Sequence, residues 1–85
     1  MFEVETAFRF KNGVVVQGHF TEAHPALVVG DMLTACYEGA QIGSVRFIGI
    51  VNVNFSYNPE NPRYLLSVGF DKDYKLLEGT VLSKL

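Results

Sequence analysis

The residues best suited to chemistry in this chain are few. His19 and His24 stand with four residues between them, a spacing that could bring two imidazoles to one metal ion. Zinc takes three or four ligands, however, and the chain offers only one thiol, Cys36, and no third histidine. No metal is expected, with His19 on a strand exterior and His24 in a loop. A nucleophilic Cys36 would need a base and an oxyanion hole, neither of which is visible, and between Ala35 and Tyr37 it reads as a small buried apolar residue. Asp71 and Asp73, in "FDKDY", lack the further oxygen ligands and the glycine of a calcium loop and read as a solvated turn. Glu3 and Glu5 share a strand face and could form an acid–base pair. Facing water, neither has the surroundings that would make one the acid and the other the base. No catalytic residue, cofactor or metal is therefore expected, and the chain reads as a non-enzyme.

Binding chemistry is better represented. "SYNPENPRY" holds two Asn-Pro pairs, which enforce an irregular loop, and Tyr57, Arg63 and Tyr64 flank it. Tyrosine and arginine are enriched where proteins dock, and both stack on bases. Irregular loops on rigid scaffolds commonly carry binding, so these three residues are the first candidates for a partner site. The alternative is that the tyrosines cap the end of the fold.

The elements that must position these residues read as strands. "FEVETAFRF" alternates with period two, setting Phe2, Val4, Thr6, Phe8 and Phe10 on one face and Glu3, Glu5, Ala7 and Arg9 on the other. On that alternation Phe8 points into the core, and Phe8→Ala should cost about 3–5 kcal/mol. Asn12-Gly13 suits a tight hairpin turn before "VVVQGHF", in which Gly18 marks a bulge or a corner. In "LVVGDML", Gly30 can turn left-handed and the Asp31 carboxylate can accept local N–H groups, reversing the chain into "MLTACY". "QIGSVRFIGIVNVNF", broken by Gly43 and Gly49, reads as a long coiled strand, followed by "YLLSVGF", a turn or short helical turn at "DKDYK", and "GTVLSKL". Six short strands punctuated by turns predict one all-β domain over residues 1–85, a small closed six-stranded antiparallel β-barrel.

Composition narrows the function classes. Of the 85 residues 48% are hydrophobic and 19% charged, the mix of a folded domain. The formal net charge is −2; five acidic and two basic residues precede Gly43, and four acidic and five basic follow. Nucleic-acid affinity rests first on Lys and Arg meeting phosphate, so a slightly acidic domain without a basic run is a poor stand-alone binder. The acidic "MFEVET" start does not read as a secretory signal, and the longest uncharged stretch, Phe47 to Pro59, carries three asparagines and ends in proline, which excludes a membrane span. With one unpaired cysteine, a cytoplasmic location is expected, and no membrane partner.

The ordered punctuation resembles the second, β-barrel domain of translational GTPases such as elongation factor Tu. The features that carry the resemblance are "FEVETAFRF", "GVVVQGHF", "VGDML", "GSVRFIGI", "YLLSVGF" and "LLEGTVL", spanning Phe2 to Leu82. Each is a common turn or strand signal; the specificity lies in their order. Nothing matches Gly-x-x-x-x-Gly-Lys-Ser/Thr, so the resemblance implies the accessory barrel, here standing alone, without the nucleotide-binding domain. It further implies an apolar contact beside the first hairpin, where the family holds the terminal adenosine of aminoacyl-tRNA; by position those residues are Phe10 and Val15. The family's Gly-Arg-Gly turn is shortened to "KNG" here, and no carboxylate lies between Gly39 and Pro59, where the family places a glutamate near the adenine. A protein partner is accordingly the leading expectation, as an adaptor or inhibitor, with Phe10, Val15, Tyr57, Arg63 and Tyr64 as the contact residues; contact with RNA of the translation machinery, using Phe10, Val15, Arg46, Arg63 and the nearby tyrosines, is the alternative.

Overall fold

The computed structural model describes residues 1–11, 13–22, 26–54 and 62–84. Six strands, β1 (Phe2–Phe10), β2 (Gly13–Phe20), β3 (Met32–Tyr37), β4 (Ala40–Asn54), β5 (Arg63–Gly69) and β6 (Val81–Lys84), form an antiparallel sheet in the order β1-β2-β5-β4-β3-β6. Pairing of Phe2 with Leu82 and Glu3 with Val81 returns β6 to β1, so the sheet closes on itself. All-β character and strand number follow the sequence reading. A 3-10 turn at Tyr74–Leu77 precedes β6, with the exposed Asp73 carboxylate accepting from the Lys75 N–H at 3.0 Å.

The core is the inner face of the ring. Phe2, Val16, Leu33, Val45, Leu66 and Leu82 are almost fully buried there, drawn from every strand. At one end Phe20 stands edge-on to both Phe2, at 4.8 Å, and Tyr64, at 4.9 Å, a geometry that sets positive ring edges against negative faces.

Closing so short a sheet requires strands to bend, and β1 bends at Glu5. Val4 faces Gly18 and Thr6 faces Gln17, so Glu5 is an extra residue with no partner on β2. The bulge lies on β1 rather than at the glycine of β2; Gly18 is what admits it. A Cβ on Gly18 would lie 1.9 Å from the Glu3 carbonyl oxygen, closer than atoms can approach.

One inserted residue reverses the phase of everything after it. Ala7 turns inward and is 6% exposed, whereas Phe8 and Phe10 turn outward at 39% and 59%. The sequence expectation that the Phe8 ring enters the core is therefore corrected, and Phe10, placed on the same face by the alternation, is outside as well. Strand β4 bends likewise: Ile42 is an extra residue against β3, and Ile48 and Val51 are extra against β5. Cys36, expected to be buried, is half-exposed beside the fully buried Ala35.

The Gly30-Asp31 turn is as expected. Gly30 has φ 98°, the Asp31 N–H donates to the Val28 carbonyl at 2.9 Å, and the Asp31 carboxylate accepts from the Val28 N–H at 2.9 Å. That hydrogen bond, helped by the Lys84 ammonium at 3.2 Å, holds the Asp31 carboxyl below the ordinary aspartate range. The Glu22 carboxyl is lowered as well, chiefly by the hydrogen bond it accepts from the chain's amino group.

Two outcomes are expected in solution. In urea denaturation Phe8→Ala should cost less than about 1 kcal/mol, while Phe2→Ala should cost about 3–5 kcal/mol. Because Asp31 and Glu22 bind protons less readily folded than unfolded, their contributions are complete above about pH 5 and fade as pH falls through the carboxylate range. Thermal melts from pH 7 to 3 should show stability declining with acid, and Asp31→Asn should flatten the part of that slope owed to Asp31.

Candidate binding groove

The phase reversal at Glu5 builds a surface feature. Phe8 on β1, Val15 on β2, Ser67 on β5 and Gly49 on β4 face one another in register and form a row across the outer face of four strands. Small residues at Ser67 and Gly49 leave the middle of that row low. Phe10 rises on one side and Val51, 57% exposed on its bulge, on the other. Between them lies an open groove of about 370 Å³ lined by Phe10, Lys11, Gly13, Val15, Val51 and Ser67. The Phe8 and Phe10 rings sit 6.4 Å apart, tilted by 52°, and extend the apolar wall.

Phe10 and Val15 thus converge, Phe10 as an exposed wall and Val15 as a nearly covered floor. The other sequence candidates lie elsewhere or are engaged. Arg63 Nε meets Glu5 Oε1 at 2.5 Å, reaching over β2 to the residue that makes the bulge. Tyr64 is half-buried and its ring packs on Phe20, which fits the alternative of a capping role. Tyr57 lies outside the described residues. Val51 and the neighbouring Ile48 and Ile50, all exposed, were not singled out by sequence reasoning, which took them as part of one long strand. Their one signal was Gly49, a glycine inside a β-branched run.

Several cations are held within the fold. Besides Arg63 on Glu5, Lys84 Nζ pairs with Asp31, Lys72 Nζ donates to the Ile42 carbonyl at 2.9 Å, and the Arg9 guanidinium lies 5.9 Å over the Tyr74 ring. A broad basin of about 690 Å³ runs past Arg46 and Lys72 but also holds Asp71. Among the described residues, no group of three or more His, Cys, Asp and Glu side chains is close enough to hold a metal ion. His19 Nε2 meets Glu3 Oε2 at 3.0 Å, and His24 lies outside the described residues. No described helix is long and apolar enough to cross a membrane.

No protein-family model matches the chain, and no curated protein or solved structure matches it.

The Glu5–Arg63 pair is half-exposed, so its direct contribution should be small despite its short distance. A double-mutant cycle with Glu5→Gln and Arg63→Gln is expected to give a coupling of about 1 kcal/mol or less, read from urea midpoints.

Proposed function

We propose that this chain is a non-catalytic binding module, a small barrel of the translation-factor type, that attaches to a partner protein through the groove between Phe10 and Val51. The observation that carries this reading is the outward phase of β1, which exposes Phe8 and Phe10 beside Val51. Large apolar side chains gathered on one outer face are the usual mark of a docking surface, and aromatic anchors at its centre supply most of the binding energy. Support also comes from the six antiparallel strands closing in a ring over the same ordered segments that carry the resemblance to the second domain of translational GTPases. A cytoplasmic setting for the module accords with its single, unpaired cysteine.

Contact with RNA is the competing reading, since the exposed Phe10 ring beside Lys11 could stack on a base. The disposition of the cations favours protein. Arg9, Arg63, Lys72 and Lys84 are each engaged within the fold, which leaves few charges to meet a phosphate backbone.

Affinity capture from nuclease-treated lysate should retain a stoichiometric protein partner on the unmodified chain, and Phe10→Ser should weaken that retention at least about tenfold. Loss of all retention after nuclease, together with tRNA binding in a filter assay at low salt, would replace the protein reading with the RNA one. Retention unchanged in Phe10→Ser would remove the groove.

A further inference from the structure

The groove is apolar within and cationic at its borders. Among the described residues its lining holds no carboxylate, and its one charged member is Lys11, exposed beside Phe10. A second cation stands on the same outer face, past the opposite wall. Register sets Phe10 opposite Gly13 and Gly69 opposite Arg46, and the Val14–Val68 pair brings the two glycines level with each other. Phe47 is buried, so the preceding Arg46 faces outward, and it is exposed. Phe10 and Arg46 thus end one row across four strands, with two residues lacking side chains between them. Three strand spacings separate them, about 14 Å.

Both cations are uncommitted. Arg63 and Lys84 meet carboxylates, whereas neither Lys11 nor Arg46 forms an ion pair or side-chain hydrogen bond with a described residue. Arg46 rises with Ile48 over the bare glycine, for a Cβ on Gly69 would lie 3.7 Å from Arg46 Cβ and 3.9 Å from Ile48 Cδ1. Asp71 lines the adjoining basin with Arg46 but does not pair with it.

In a domain of net charge −2, an apolar groove bordered on either side by a free cation is selective. We propose that the segment docking there is acidic: one large apolar side chain sits between Phe10 and Val51, and an Asp or Glu on each side of it meets Lys11 and Arg46. This rests on the protein-docking reading of the groove and adds the chemistry of what docks. At about 3.3 Å per residue, an extended segment covers the separation in about four residues, which puts the carboxylates about two positions either side of the anchor. The anchor supplies most of the affinity, and the charges at the rim steer and select. Nucleic acid would gain less. Its affinity accumulates over many phosphate contacts, and the groove lining offers a base edge only the Ser67 hydroxyl and the Lys11 ammonium.

Selection of displayed random peptides about twelve residues long on the full chain, with Phe10→Ser carried in parallel, reads the segment directly. Enriched peptides are expected to carry Phe, Leu, Ile or Trp with Asp or Glu about two positions to either side. For the leading peptide, Lys11→Glu and Arg46→Glu should each raise the dissociation constant about three- to tenfold. Raising salt from about 50 to about 500 mM should weaken binding to the unmodified chain. A peptide with lysines in place of its acidic residues should instead prefer the doubly substituted chain. Both positions are exposed, so circular dichroism should not change. Peptides lost in Phe10→Ser but carrying no excess of acidic residues, or indifferent to both charge reversals, overturn the proposal and leave the groove reading standing. A library from which nothing is enriched overturns it too, and the groove is then judged by lysate capture. Peptides held equally by Phe10→Ser remove the groove reading as well. So does a single-stranded RNA of about twelve nucleotides that binds more tightly than any selected peptide and depends on Phe10.

Discussion

The close approach of Gly18 to the Glu3 carbonyl oxygen is the constraint on which the outer surface depends. Six short strands can close only if some of them bend sharply, and β1 bends by carrying Glu5 as an unpaired residue opposite a position with no side chain. With any Cβ at position 18 the two backbones could not meet in this register. Everything beyond the bulge inherits the reversed phase: a small residue, Ala7, fills the narrow interior there, and two phenylalanines are left on the outside. A fold-closing device and an exposed apolar surface are in this sense the same feature.

The long strand β4 repeats the device. Its inserted residues, Ile48 and Val51, let one strand serve β3 with its first half and β5 with its second. They also leave two aliphatic side chains exposed, Val51 at the groove and Ile48 reaching toward Gly69 of β5. Apolar side chains that would be errors on a regular strand are here consequences of curvature.

How much of this was legible in the sequence follows from what periodicity can report. Alternation and the turn residues locate the strands: the Gly30-Asp31 reversal has the left-handed glycine and the accepting carboxylate that its residue types suggest. Alternation cannot report a bulge in a run where it never falters, and "FEVETAFRF" reads more regularly as an unbroken strand than as the bent one it is. Gly18 was the available clue, and it indicated a bend without indicating which of the two paired strands holds the extra residue. For the site, Phe10 and Val15 could be brought together from the hairpin and the resemblance. Val51 could not, because its place in the groove depends on cross-strand register through β5. Arg63 and Tyr64 carry residue types common at interfaces, but the first is held by Glu5 and the second packs on Phe20, contacts that exist only once the ring is closed.

The most direct test of the phase reversal is a solution NOESY spectrum of the first hairpin. The expected result is cross-strand contacts pairing Val4 with Gly18 and Thr6 with Gln17, an Ala7 methyl group close to interior methyls such as those of Val16, and Phe8 and Phe10 rings with no such contacts. Phe8 ring protons close to those interior methyls, with Ala7 facing solvent and no residue skipped at Glu5, would contradict it.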